Sequence, residues 1–205
     1  VRAWIAANAP DVARLSPEES RAWHPAHKQL AREWQETKAD AGYACISWPK
    51  EWGGAGGSTI EETIFLQEEQ RAGLQFMYFT TGLKMLLPAI MAHNSDDLSR
   101  SLVPGAVRGE TIWCQLFSEP SSGSDSAGAR CLAVRDGDDW VINGQKVWNS
   151  GAFHADYGML VTRSNPDLPK HKGLTVFWLR MDTPGVEVRP IRMMSGDNEL
   201  NEVFL

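Results

Sequence analysis

The chain has 205 residues, 42% of them hydrophobic and 22% charged, which is ordinary globular composition with room for one large domain or two small ones. A net charge of −6 argues against a nucleic-acid surface, which needs clustered Lys and Arg. The longest apolar run, Met85 to Ala92, contains Pro88 and falls far short of the ~20 residues that span a bilayer.

No signal-peptide pattern opens the chain. The three cysteines, Cys45, Cys114 and Cys131, are odd in number and widely spaced, and they read as reduced thiols of a cytoplasmic protein. The nine Trp residues predict large apolar packing surfaces or ring-stacking sites.

In chain order, Ser16-Pro-Glu-Glu19 reads as a capped helix start that Pro25 breaks or restarts. Trp23, His27, Leu30, Trp34 and Ala41 then fall near helical spacing, and Gly42 closes the helix. Gly53-Gly-Ala-Gly-Gly57 has neither the Gly-Lys-Ser/Thr ending of a P-loop nor a βαβ context, so it reads as a tight connector. Ser58-Thr-Ile-Glu61 is a second capping box, and Ile60 and Ile64 mark the expected buried stripe of a helix ending near Gly73. A third helix is expected from Thr80 to His93, ringed by Leu83, Met85, Leu86, Leu87, Ile90 and Met91. Ser95-Asp-Asp97 opens a last helix that ends by Gly109.

After Gly109 the apolar period changes from 3.6 to two. Strands are predicted over residues 111–117, 130–135, 140–143, 145–148, 157–163, 173–180, 186–191 and 201–205, with turns at Asp136-Gly137, Asn143-Gly144 and Thr183-Pro-Gly185. The fold class is therefore α+β: an all-α domain over 1–109 and an antiparallel β-barrel or sandwich over 110–205. Asn143-Gly144 is the strongest hairpin signal, and that hairpin should carry Trp148 and Ser150 back beside the loop from Ser118 to Asp125. The chain stops at Phe204-Leu205 inside an apolar, strand-like run, so a piece trimmed at both ends is expected.

The loop Ser118-Glu-Pro-Ser-Ser-Gly-Ser-Asp125 is built from small residues and hydroxyls, which allow a ligand close to the backbone. Ser118-Glu119-Pro120-x-x-Gly123-Ser124-Asp125-x-x-Gly128 resembles the flavin-loop signature of the acyl-CoA dehydrogenases. Asn143-Gly-Gln-Lys-x-Trp148-x-Ser150-Gly151 resembles the same family's second flavin segment, and Trp48-Pro-Lys-Glu-Trp-Gly-Gly54 a landmark of its N-terminal helical domain. The three segments stand in the family's order. Leu116 and Phe117, before Ser118, are larger than the residues usual there.

That resemblance implies FAD as cofactor and an acyl-CoA thioester as substrate, converted to the trans-2-enoyl-CoA, with electrons passed to an electron-transfer flavoprotein. It implies that Ser150 lies near flavin N5, with Trp148 against the ring. Ser118 would meet the pyrimidine edge beside main-chain groups of Gln115 and Phe117. Gly123 and Ser124 would meet the pyrophosphate, and Ser124 also the CoA portion of the substrate. Periodicity alone makes Met85, Leu86 and Leu87 core residues; the resemblance makes them walls of the acyl tunnel. The family's catalytic base belongs to a C-terminal domain that would follow Leu205, so no catalytic residue is expected in this chain, and a homo- or hetero-oligomer is implied.

Trp113-Cys-Gln-Leu-Phe-Ser118, Pro169-Lys-His171 and Asn201-Glu-Val-Phe-Leu205 look more like members acting on bulky or sterol-derived acyl groups. Alternatives are a flavin monooxygenase or oxidase on the same scaffold, and a non-catalytic partner subunit. Glu119 and Asp125 read as structural loop carboxylates. His24 and His27 lack the companions of a metal site, and no Gly-x-Ser-x-Gly elbow is present.

Overall fold

The computed structural model describes every residue from Val1 to Leu205, and its backbone divides into two units, Val1–Ile112 and Trp113–Leu205. The first is helical: α1 (Arg2–Asn8), α2 (Pro25–Asp40), α3 (Thr59–Arg71), α4 (Leu87–His93) and α5 (Asp96–Val107). α1 has no counterpart among the predicted elements, because seven residues are too few for a periodic signal. Its Trp4 packs on Trp34, Tyr43 and Phe65.

The helix expected from Ser16 does not form. Both capping-box bonds are present, Ser16 N to Glu19 Oε2 at 2.8 Å and Glu19 N to Ser16 Oγ at 3.3 Å, yet only turns follow. Trp23, with φ of 68°, interrupts the chain, and α2 starts at Pro25 with His24 Nδ1 accepting from Ala26 N at 3.2 Å. α3 carries the predicted capping box, but its buried face is one residue round from the predicted one. Phe65 and Glu69 are buried, while Ile60 is 72% exposed and Ile64 is exposed too. A one-residue offset turns a helix by about 100°. The deciding contact is polar: Glu69 Oε1 accepts from Trp34 Nε1 at 2.6 Å and from Lys38 Nζ at 2.8 Å.

The single helix predicted over Thr80–His93 is a π turn, Gly82–Leu86, running into α4. Pro88 has no N–H to donate and crowds the carbonyl one turn back, which a widened turn relieves. In Gly53–Gly57 the N–H groups of Gly54, Gly56 and Gly57 donate to Pro49, Trp48 and Ile46 carbonyls at 3.1, 2.9 and 2.8 Å. The segment is a connector, with no N–H row open for a phosphate.

The second unit holds two sheets. β5 (Tyr157–Arg163) is the centre of the larger one, and β6 (Leu174–Arg180) lies antiparallel along its full length. On the other edge β1 (Trp113–Leu116) runs parallel to the first half of β5. β2 (Leu132–Asp136) takes over at Arg163 and forms a hairpin with β3 (Asp139–Asn143) through Gly137, whose φ is 62°. The smaller sheet is β4 (Gln145–Lys146), β8 (Asn201–Phe204) and β7 (Glu187–Pro190), all antiparallel. Cys114, Leu116 and Leu160 from the larger sheet and Val203 from the smaller share one core. The fold is thus α+β with a sandwich-like β unit. The sheets do not close into a barrel, and the β1–β5 pair is parallel.

Asn143-Gly144 does not make the predicted hairpin. β3 and β4 do not pair; the chain steps from one sheet to the other there, and Gly144 exchanges backbone bonds with Leu205 at 3.2 and 3.0 Å. Glycine is required for close approach, since a Cβ would lie 2.6 Å from Cys131 Sγ and 2.8 Å from its Cα.

Candidate functional site

Two segments distant in sequence meet in the β unit. The first leaves β1 at Phe117 and turns tightly: Glu119 N donates to Ser122 O at 2.8 Å and Ser122 N to Glu119 O at 3.0 Å, with Pro120 fitting the turn. The second leaves β4 at Val147. Val147 N donates to Ser118 O at 2.9 Å, so the two segments are hydrogen-bonded directly. Asn149, buried, adds a second tie when its amide takes the orientation that satisfies both ends: the side-chain nitrogen then donates to Gln115 O at 3.1 Å and the oxygen accepts from Val147 N at 3.2 Å. The segment that carries Trp148 and Ser150 is therefore joined to Ser118 through Val147, and its pairing with β8, rather than a hairpin, brings it there.

Beneath the loops lies an ion pair. Lys146 is fully buried, and its Nζ donates to Glu119 Oε1 at 2.7 Å and to Phe117 O at 3.1 Å. The Glu119 carboxylate also accepts from Arg130 N at 2.7 Å and Cys131 N at 2.9 Å. Burial pushes the Glu119 carboxyl up, but the Lys146 ammonium and these two N–H groups outweigh it and hold it below the usual carboxylate range. Sequence reasoning read Glu119 as structural and missed Lys146. A basic residue alternating with Val147 in a strand was the available signal, and only the partner explains it.

The rest of the first loop is held from outside. Lys170 pairs with Asp125, Ser122 Oγ donates to Asp125 O at 2.6 Å, and Arg163 donates to the carbonyls of Ala127 and Ala129 at 2.5 and 3.2 Å. Neither loop carboxylate is free to take a proton from a substrate.

A row of donors remains. The hydroxyls of Ser118, Ser124 and Ser150, the indole N–H of Trp148, and the main-chain N–H groups of Gly123, Ser124, Trp148 and Ser150 make no hydrogen bond within the chain. Ser124 and Ser150 are exposed and Ser118 is half-buried. Gly123 has no atom within 4 Å of where a Cβ would sit, so nothing in the chain itself requires glycine there. Trp148 has φ of 62° and its side chain is displayed to solvent, the residue being 58% exposed. A left-handed aromatic residue costs about 1–3 kcal/mol, so its surroundings must hold it there.

In the helical unit, Leu86 and Leu87 are fully buried whereas Met85, on the π turn, is 41% exposed.

The family model described as acyl-CoA dehydrogenase, N-terminal domain, matches residues 5–110, and that for the middle domain matches residues 114–204. The chain belongs to the acyl-CoA dehydrogenase family. It is 41% identical over 205 residues to acyl-CoA dehydrogenase FadE34 of Mycobacterium tuberculosis, an alignment that covers all of this chain and 27% of that protein. Among solved structures it resembles the Tcur3481-Tcur3483 steroid ACAD, with a TM-score of 0.82 and 30% identity over 99% of this chain and 51% of that one. The ChsE4-ChsE5 complex from Mycobacterium tuberculosis gives a TM-score of 0.79 and 33% identity, covering 99% of this chain and 50% of that one. The chain thus spans about half the length of these solved chains, and less of FadE34.

The family is one of flavoproteins, and the exposed donor row fits such a cofactor. A flavin presents a flat apolar ring with a polar edge and a pyrophosphate. The unpaired N–H groups and hydroxyls and the displayed indole supply partners for each, and the space over Gly123 leaves room for a close approach.

Proposed function

We propose that the chain is the flavin-facing part of an FAD-dependent acyl-CoA dehydrogenase that forms a trans-2-enoyl-CoA and passes electrons to an electron-transfer flavoprotein. The single observation that carries the reading is the Val147 N–Ser118 O bond, which joins the two family flavin segments into one surface. Bound FAD would accept hydrogen from the substrate β-carbon. This chain's residues hold and orient. Ser118 would donate at the pyrimidine edge beside the main chain of Gln115 and Phe117, Ser150 would donate near N5, and Trp148 would lie against the ring. Donors aimed where reduction places charge stabilise the reduced cofactor. Gly123 and Ser124 offer N–H groups to the pyrophosphate, and Ser124 its hydroxyl to the CoA portion. Met85, Leu86 and Leu87 are assigned to the acyl-binding wall.

Glu119 and Asp125 are both engaged in ion pairs, which supports assigning proton abstraction to a group other than these two loop carboxylates. The likeness to a protein titled steroid ACAD supports a bulky, sterol-derived acyl group. All three cysteines are buried free thiols, which supports a reducing, cytoplasmic setting. The test is anaerobic titration of the FAD-loaded, intact protein with a short-chain and a sterol side-chain acyl-CoA. Bleaching of the flavin band by the sterol thioester is expected, and failure of every acyl-CoA to bleach it, with any co-purifying partner chain present as well, would refute the dehydrogenase reading.

A second reading has specific support in the likeness to the solved ChsE4-ChsE5 complex: this chain serves as one subunit of a two-protein dehydrogenase. Co-purification with a second acyl-CoA dehydrogenase chain, and bleaching only when both are present, would select it.

A further inference from the structure

The strained Trp148 is held by one residue that the flavin motifs do not contain. Asn201 opens β8 and is fully buried. Its main-chain carbonyl accepts from Asn149 N at 3.0 Å, and its side-chain nitrogen donates to Asn149 O at 2.9 Å. The same nitrogen donates to Glu199 O at 2.8 Å, and Glu199 O accepts from Gly151 N at 2.8 Å. Asn201 thus takes both backbone groups of Asn149 and, through Glu199, secures Gly151.

The consequence is alternation. Residues 149 and 151 are tied inward, and Trp148 and Ser150 between and before them are left exposed with their own N–H groups free. A φ of 62° on Trp148 persists only where the surroundings over-determine it; the Asn149 N–Asn201 O bond holds the peptide that follows it, and the Asn201 side chain, through Asn149 O, holds the next one. The Asn201 amide oxygen is buried without a partner. Leaving an acceptor unpaired in the interior costs stability, so the amide is explained by what its nitrogen does rather than by its oxygen. Asp at this position would set a carboxylate against two carbonyl oxygens.

We propose that Asn201 is a positioning residue, which aims Trp148 and Ser150 at the flavin by clamping Asn149. This rests on the flavin reading above. Its action is indirect: it touches neither cofactor nor substrate, and its effect passes through the conformation of Trp148.

The experiment is FAD titration of the intact protein as wild type, Asn201→Asp, Trp148→Gly and the double variant, with amide hydrogen exchange read at Asn149 and Gly151. Asn201→Asp is expected to weaken FAD binding about tenfold, the worth of two net hydrogen bonds, and to speed exchange at both amides. Trp148→Gly also weakens FAD binding. Glycine adopts positive φ without a clamp, so adding Asn201→Asp to it should change affinity by less than about twofold. A merely structural Asn201 would instead add its full effect in the double variant, which overturns the proposal. So does Asn201→Asp binding FAD as tightly as wild type. Should Asn201→Asp not fold, Asn201→Ser, neutral and too short to reach both carbonyls, takes its place with the same expectations. If wild type binds no FAD, the flavin reading fails, and the exchange data decide the clamp alone: unchanged exchange at Asn149 and Gly151 sinks it.

Discussion

Lys146 Nζ lies 2.7 Å from Glu119 Oε1, with side-chain exposures of 0% and 5%, and the two residues belong to the two different segments of the candidate site. A buried pair of this kind is weak evidence for stability in itself, because taking both charges out of water offsets most of their attraction. Its effect is on geometry: it fixes the register of the loop at Ser118 against the strand that leads into Trp148. Lys146→Met keeps the stem and removes the charge, leaving the Glu119 carboxylate buried with only its two N–H donors. A loss of about 3–5 kcal/mol is expected by denaturant unfolding. The double variant Lys146→Met, Glu119→Gln, with no stranded charge, should recover part of that loss. A double variant no more stable than Lys146→Met alone would show that the pair is not coupled.

The same pair gives stability a pH dependence of known sign. The Glu119 carboxyl is held below its ordinary value in the folded chain. Its contribution is therefore complete above the unfolded carboxylate pKa, about 4.3, and disappears as pH falls through the lower folded value. Thermal midpoints measured down through the acid range should fall for wild type and fall less steeply for Glu119→Gln. Equal slopes would place the acid sensitivity elsewhere.

Gly144 and Gly137 should respond differently to alanine. At Gly144 the added methyl meets Cys131 at 2.6–2.8 Å, backbone included, so the sheets must shift, at a cost of about 1–3 kcal/mol. At Gly137 there is open space, and only the φ of 62° opposes alanine, for about 1 kcal/mol. Denaturant midpoints of Gly144→Ala and Gly137→Ala test the ranking. Equal midpoints would mean that the step between sheets can relax.

Much of the fold was legible in the sequence because it rests on short-range rules. The period of two located the strand centres, and Ser58 with Glu61 marked the start of α3 through a local bond pair. What failed depended on partners far along the chain. Asn143-Gly144 has the composition of a turn, but its glycine answers to Cys131, thirteen residues earlier. Ile60 and Ile64 share a helical spacing with each other, yet the buried face follows Glu69, which Trp34 and Lys38 require. The parallel β1–β5 pair could not be read from alternation, which carries no strand direction. In the site, the two loops were legible as motifs, while Lys146, Asn149 and Asn201 were not. Each is a buried polar residue whose reason is a bond to a distant segment.

The central claim is that Ser118 and the Trp148–Ser150 segment form one flavin-binding surface. FAD titration of the intact protein, followed by flavin fluorescence, tests it most directly when wild type is compared with Ser118→Ala and Ser150→Ala. The account predicts saturable FAD binding by wild type and weaker binding by both variants, each by a few-fold to about tenfold for one lost hydrogen bond. Wild-type affinity in both variants, or no FAD bound by the wild type, would contradict it.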